Sequence, residues 1–328
     1  MISSGCRYVM AMEVYEEIGA AIEAEVRRAC EDRDVGIAFS GGLDSGLVAA
    51  LASRYARSVT CYTCGTDNAF DVRAGRELSE KLGLPWVHCR IGPGNIASVI
   101  GDLIRATGES DPFTISYELQ LFCVCAEAEE DVILTGQGAD EYFGGSAKFV
   151  GLGHDDFRVL LQDGKDRLNA VSVPCELLIA EHFGKELRHP YLVPAVTSMA
   201  DSLGDEWILP KDMDSRKSVL KAAAGSLGYP VLTSRTKKSS QYGSGTTDLI
   251  RAMARENGMM YNEYIAGIRD GIMGPPSDGR GAMVSIRMDP VLKAKAERIL
   301  GEAGITPAEA VEALYRGIVE NGPPTVKR

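Results

Sequence analysis

Short apolar runs bounded by glycine and polar clusters alternate along this chain with longer stretches whose apolar residues recur every three or four positions. Val35-Gly36-Ile37-Ala38-Phe39 reads as a buried strand and runs into the turn Ser40-Gly41-Gly42-Leu43-Asp44-Ser45. Gly46-Leu47-Val48-Ala49-Ala50-Leu51-Ala52 then reads as a helix. Thr60-Cys61-Tyr62-Thr63-Cys64-Gly65 is a second strand, followed by a helix that opens near Asp71 and closes at Leu82-Gly83. Val132-Ile133-Leu134-Thr135 is another buried strand, leading into Gly136-Gln137-Gly138-Ala139-Asp140-Glu141. Strands that alternate with helices predict an α/β fold, a parallel sheet flanked by helices. Glu13, Glu16, Glu17, Glu23 and Glu25 mark the first 34 residues as an acidic amphipathic helix rather than a signal peptide.

A different pattern occupies the last fifth. Residues 271–281 are rich in Gly and Pro and read as a linker. Met283-Val284-Ser285-Ile286-Arg287-Met288 alternates like a strand. Asp289-Pro290 reads as an N-cap with Pro at the first helical position, and Leu292, Ala296, Ile299 and Leu300 form a stripe that ends at Gly304. Thr306-Pro307-Ala308-Glu309 reads as a capping box opening a second helix, whose stripe is Val311, Leu314, Tyr315 and Ile318. A strand and two helices in about 45 residues are too few to bury a core alone. The expected divisions are a helical segment 1–34, a main domain 35–270, a linker 271–281 and a small tail 282–328.

Composition narrows the class. The chain has 328 residues, 45% apolar and 25% charged, ordinary values for a globular protein. The net charge of −11 argues against general nucleic-acid binding by the main body. The tail alone carries seven Lys/Arg and six Asp/Glu, a net of +1. Eight cysteines at irregular spacing fit reduced thiols in a cytoplasmic protein. Cys61 and Cys64 are three apart on a strand, face opposite sides, and make no metal site. No apolar run approaches the roughly 18 residues of a membrane span.

The candidate chemistry lies in the two Gly-rich turns. A strand, a glycine turn and a helix start form a phosphate cradle: the backbone approaches closely and free N–H groups point at the anion. Ser40 and Ser45 add hydroxyl donors. No Lys follows the glycines, so this is not a Walker loop. Asp44 beside phosphate requires a cation between them, which points to Mg²⁺.

The hexapeptide Ser40–Ser45 resembles the pyrophosphate loop of the N-type ATP pyrophosphatases, and residues 136–145 resemble the synthase-domain signature of the asparagine synthetases, a domain shared with the β-lactam synthetases. Weaker stretches follow in the order of that family: Glu186-Leu187-Arg188-His189-Pro190-Tyr191-Leu192, with Val193 in place of an Asp; Arg216-Lys217-Ser218-Val219-Leu220-Lys221; and the segment from Ser234 to Gly243. The resemblance covers residues 12–265. It implies an adenine nucleotide alpha hydrolase-like sheet, a mostly helical second half, and the cofactors ATP and Mg²⁺. It implies ATP and pyrophosphate contacts from Ala38, Ser40, Gly41, Gly42, Asp44, Ser45, Cys64, Thr135, Gly136 and Lys237, with Asp44 and Asp140 on the metal. Lys237 is implied to steady charge in the amide-forming step. The reaction implied is AMP-forming activation of a small-molecule carboxylate as an acyl-adenylate, followed by amide formation. Gln137 stands where the family's Glu helps to deprotonate the amine, and an amide is no base near neutral pH. Another group, solvent or a different reaction is then required. About forty residues precede the turn, fewer than a domain needs. The expected nitrogen source is therefore ammonia, an amine, or ammonia from a separate supplying subunit.

Residues 282–324 resemble the ribbon-helix-helix repressors of the antitoxin type. The resemblance implies an intertwined homodimer with Val284, Ile286 and Met288 inward. Met283, Ser285 and Arg287 would then face DNA, with a phosphate near Thr306. Two further function classes stand beside the ligase: a synthetase-like regulator that has lost catalysis, and another adenylating enzyme of the pyrophosphatase superfamily.

Overall fold

The apolar runs become a five-stranded sheet in this computed structural model, which describes residues 4–233, 243–273, 284 and 286–323. The strands are β1 (Asp34–Ala38), β2 (Ser58–Gly65), β3 (Trp86–Arg90), β4 (Val132–Leu134) and β5 (Glu186–Arg188). They lie in the order β3-β2-β1-β4-β5, every neighbouring pair parallel. Ala38 is opposite Tyr62 and Ile37 opposite Leu134, so β1 and β4 end nearly level while β2 runs three residues further. The chain runs outward from β1 through β2 to β3, then returns to place β4 on the other side of β1. That reversal opens a crevice at the carboxyl ends of β1 and β4, where open parallel sheets hold their ligands.

The helices of the first half are α1 (Ser4–Cys30), α2 (Leu43–Tyr55), α3 (Phe70–Leu82), α4 (Ile96–Thr107) and α5 (Pro112–Glu127). The middle of the chain supplies α6 (Ala139–Tyr142), α7 (His154–Arg167), α8 (Val173–His182), α9 (Pro194–Asp201), α10 (Asp205–Ile208) and α11 (Ser218–Ser226). The last are α12 (Thr246–Glu256), α13 (Tyr261–Met273), α14 (Pro290–Glu302) and α15 (Pro307–Asn321). Two apolar cores cover the two sheet faces. Ile18, Ile22 and Val26, four residues apart on α1, are buried with α2, α11 and Ile37 on one face. Ile115, Leu119 and Phe122 of α5 pack with α4, α8 and Ile133 on the other. Cys61 belongs to the first core and Cys64 to the second, as alternation along a strand requires. The seven described cysteines are all buried free thiols. No helix among the described residues is long and apolar enough to cross a membrane.

The tail departs from its expected form in three ways. Residues 284 and 286–289 carry no strand, and Val284, Ile286 and Met288 are exposed; Met283 and Ser285 lie outside the described residues. A strand edge needs a partner for its N–H and C=O groups, and none of the described residues pairs with it. Second, α13 continues through Met273, over the first three residues expected as linker; residues 274–283 lie outside the described residues. Third, α14 buries Val291 and Ala294 rather than the stripe through Leu292 and Ile299, which stay exposed. Those two small side chains sit in the core beside α7, where Lys295 pairs with Asp156 at 2.7 Å. The caps follow the expectation: Asp289 accepts from Leu292 N at 2.9 Å, and Thr306 and Glu309 form the reciprocal box. The Glu309 carboxylate accepts from Thr306 N at 2.7 Å, so an acidic group already occupies the place expected for a phosphate.

Candidate active site

Strand β1 delivers the chain to the crevice, and α2 starts at Leu43, so Asp44 and Ser45 lie in its first turn. The first-turn N–H groups and the positive end of the helix dipole are thereby aimed at the crevice. The turn is held by Ser45 Oγ, which accepts from Ser40 N at 3.2 Å and lies 3.3 Å from Ser40 Oγ. Gly41 has φ +69°, and a β-carbon there would stand 2.3 Å from the Ala74 carbonyl carbon. Only glycine satisfies both constraints.

The turn after β4 closes on the first. A β-carbon at Gly136 would lie 2.8 Å from Ser45 N and 2.9 Å from Asp44 Cβ, so the two Gly-rich turns touch through bare backbone. Tyr191, fully buried, donates its hydroxyl to Asp44 O at 3.0 Å and pins the first turn from below. Asp140 enters in the first turn of α6.

Asp44 and Asp140 meet at Lys217, whose Nζ lies 2.5 Å from Asp44 Oδ2 and 2.7 Å from Asp140 Oδ1. Burial opposes the charge, but the carboxylates of Asp140 and Asp44 outweigh it and hold the ammonium above its ordinary pKa. Lys217 caps α11 with φ +56°, ψ +32°, a left-handed conformation that costs a lysine about 1 kcal/mol or more. Two hard-oxygen carboxylates from different strand ends that already share one cation are a donor set suited to Mg²⁺.

Two cavities flank this triad. The smaller, about 140 Å³, is lined by Ala38, Ser40, Asp44 and Ser45 from the first turn and by Cys64 at the end of β2. Thr135, Gly136, Gln137 and Asp140 close it from the β4 side. Gly41 and Gly42 shape the first turn without lining the cavity. The larger, about 1150 Å³, shares Asp44, Gln137 and Asp140 with it. It also takes in Lys217, Arg216 and Arg167, and its rim includes Pro290 and Lys293 of α14. The first tail helix is thus part of the wall. Lys237 lies outside the described residues. Arg287 and Thr306 are exposed on the tail and do not approach the crevice.

Several site groups were missed in the sequence. Gln137 Nε2 donates to Glu176 Oε1 of α8 at 2.6 Å, and Tyr117 of α5 donates to Gln137 Oε1 at 3.3 Å. His189 Nδ1 lies 2.8 Å from Thr135 Oγ1, and its Nε2 is 3.3 Å from Glu176 Oε2. Burial pushes His189 down to about 4, so its ring is neutral near pH 7. Burial, with Glu141 nearby, raises Glu176 to about 8, against the lowering by the Gln137 bond. Burial, then Asp140, raises Glu141 to about 7. A lone carboxylate in each of the apolar runs Phe113–Ala126 and Val173–Ala180 was the available signal for Glu118 and Glu176. Lys217 was legible only as a member of a resembling stretch.

Residues 17–164 match the family described as asparagine synthase. A provisional glutamine-hydrolyzing asparagine synthetase of Methanocaldococcus jannaschii is 27% identical over 77% of this chain and 54% of its own length. The carboxyethyl-arginine beta-lactam-synthase of Streptomyces clavuligerus is 29% identical over 75% of this chain and 48% of its own. Among solved structures, the NMN synthetase of Francisella tularensis covers 85% of this chain and 99% of its own at 15% identity, with a TM-score of 0.38. The chain spans about half the length of the curated relatives that it matches most extensively. Residues 17–164 are therefore similar to the asparagine synthase family, and relatives whose similarity extends beyond that stretch include an asparagine synthetase and a β-lactam synthase.

Proposed function

We propose that the chain is an ATP-dependent amide ligase. It activates a small-molecule carboxylate as an acyl-adenylate, releases pyrophosphate, and passes the acyl group to ammonia or an amine. The observation that carries this reading is the meeting of Asp44 and Asp140 at one cationic point between two glycine turns, at the crevice of a parallel sheet. The turn N–H groups, Ser40 and Ser45 hold the phosphates. Asp44 and Asp140 hold Mg²⁺, which neutralises charge on the phosphate oxygens. Lys217, displaced from the two carboxylates, and Lys237 take the pyrophosphate side. The larger cavity receives the carboxylate. The test is pyrophosphate release with ATP, Mg²⁺, ammonium and a panel of amino and keto acids. Release dependent on one acid, with AMP and an amide formed in equal amount, is expected. No acid-dependent release across the panel overturns the reading.

The tail carries a second proposal. Val311, Leu314 and Tyr315 of α15 are exposed, as are Val284, Ile286 and Met288. A ribbon-helix-helix homodimer buries both sets between two copies and supplies the missing strand partner. Arg287 then faces outward toward DNA. Cytoplasmic location, and an ammonia-supplying subunit as nitrogen source, belong to the same reading.

A further inference from the structure

Helix α14 of the tail is three-sided by its own spacing, because residues three or seven apart share one face of a helix. Val291 and Ala294 are buried beside α7. Leu292 and Ile299 stay exposed. Pro290 and Lys293 line the larger cavity. Helix α7, on which α14 packs, lines the same cavity through Leu160, Asp163, Gly164 and Arg167. Lys295 pairs with Asp156 and takes no part in the lining. The asparagine synthase match ends at residue 164 and gives no account of a tail residue at this cavity.

The wall so formed is positive in a chain whose net charge is −11. Beyond the residues shared with the smaller cavity, its acids are Asp163 and Asp214. Its cations are Lys148, Arg167, Arg216, Lys221 and Lys293, besides Lys217, which Asp44 and Asp140 hold. Arg167 lies over the Phe113 ring at 4.3 Å, Arg216 Nη1 donates to Gly145 O at 3.1 Å, and Lys221 Nζ donates to Asp214 O at 2.5 Å. Lys293, half exposed, pairs with Glu297 one turn on. A pair this exposed is weak, so the ammonium changes partners at little cost. Cations from several elements around one cleft repel one another and concentrate a counter-anion there. The cavity of about 1150 Å³ exceeds the roughly 300–1,000 Å³ of most ligand pockets. It has room for an acceptor that extends from Asp140 to α14.

We propose that Lys293 is a specificity-determining residue contributed by the tail. It binds a second anionic group, a carboxylate or a phosphate, at the end of the acceptor remote from the carboxylate that is activated. The assignment rests on the amide-ligase reading above. The tail helix then completes the acceptor site, and docking of Val291 and Ala294 on α7 sets where the ammonium stands. Lys293 acts on binding and not on the bonds that form and break. It draws in acids that are charged at both ends and leaves acids with one charged end weakly held. Glu297 competes for the same ammonium and gives it up when the acceptor arrives.

Two measurements test this. The first needs no turnover. The full chain is trace-labelled with acetic anhydride and read by mass spectrometry, in Mg²⁺ and α,β-methylene-ATP, which is not cleaved between the α and β phosphates. Each acid of the panel is added in turn, dicarboxylic and phosphorylated acids included. An acid with a second anionic group, well above its Kd, should lower labelling of Lys293 about threefold or more. The same acid with that group masked as an amide or ester should not. Lys295, paired with Asp156 away from the cavity, should label equally throughout. The dicarboxylic and phosphorylated arms identify which anion is read. Protection by the nucleotide alone gives this wall to pyrophosphate, and protection by no acid leaves Lys293 without a ligand; either overturns the proposal. The second measurement is steady-state kinetics on the acid found by the pyrophosphate screen. Lys293→Gln should raise KM for that acid about tenfold, with kcat and KM for ATP within about twofold, and Lys293→Arg should recover most of the loss. An unchanged KM, or a fall in kcat alone, overturns the proposal. Pyrophosphate release scores the ligase reading by itself: a chain that releases none while its Lys293 is protected loses that reading and keeps the anion site.

Discussion

Replacing Lys217 by methionine tests the centre of the site through stability, without any knowledge of the substrate. Methionine keeps much of the side chain's length and pays the same backbone cost at φ +56°, so the difference reports the ammonium. The wild-type Nζ sits 2.5 Å from Asp44 Oδ2 and 2.7 Å from Asp140 Oδ1, with Asp44 only 2% exposed. Removing one partner of a buried ion pair leaves uncompensated charge and costs about 3–5 kcal/mol. In a chain of this size each kcal/mol moves Tm by roughly 2 °C, so a drop of about 6–10 °C is expected in metal-free buffer. Millimolar Mg²⁺ supplies the missing cation to the same two carboxylates. It should restore much of that loss in Lys217→Met, and raise the wild type less, because there the metal must first displace the ammonium. Scanning fluorimetry with and without Mg²⁺, checked by near-UV circular dichroism, reads both effects. A variant that melts within about 2 °C of wild type, or gains no more from Mg²⁺ than wild type does, refutes the shared cation site.

The same geometry makes three more predictions. Asp44→Asn and Asp140→Asn should each lower Mg²⁺-dependent pyrophosphate release by at least about 100-fold, each removing one charged ligand; activity within a few-fold of wild type in both is incompatible with the metal assignment. Glu176 has a folded pKa of about 8, above its ordinary carboxylate value, so the folded state binds its proton more tightly; its contribution to stability is complete below the ordinary value and is lost as pH rises through about 8. The groups that act on it are Tyr117 and Glu118 of α5, Gln137, Glu141 of α6 and neutral His189. Tm measured from pH 5 to 9 should therefore fall more steeply in wild type than in Glu176→Gln, and parallel curves would exclude this origin. Leu314→Asp, on an exposed position of α15, should convert a wild-type dimer to monomer in sedimentation while leaving the melting of the main domain intact; a monomeric wild type would remove the dimer proposal.

What was legible in the sequence is local. The runs at Val35, Thr60 and Val132 alternate with helical stripes, and each strand formed within a residue or two of its expected place. The turn Ser40–Ser45 carries its own instruction, since glycine at positions 41 and 42 and a helix start follow from neighbouring residues. Asp140 was legible through the resemblance of residues 136–145 to the family's signature. The helix caps at Asp289 and Thr306 were also readable, because a cap is a contact over three residues. Cys61 and Cys64 fall on opposite faces because side chains along a strand alternate.

Only the tertiary structure decided what those local pieces meet. Lys217 reaches Asp44 across 173 positions, and Glu176 reaches Gln137 across 39. No periodicity links such pairs, because their distance is set by how the sheet orders its strands and where α8 and α11 return to it. Glu176 and Glu118 stand as lone charges in apolar runs, a signal the sequence reading passed over, and nothing in that pattern says that both line one cavity. The tail shows the converse. Its stripe through Leu292 and Ile299 described an amphipathic helix correctly, while the packing buried Val291 and Ala294 instead, since small side chains let α14 approach α7 closely. Burial is a property of the surface that a helix meets, and the sequence of one helix does not contain that surface.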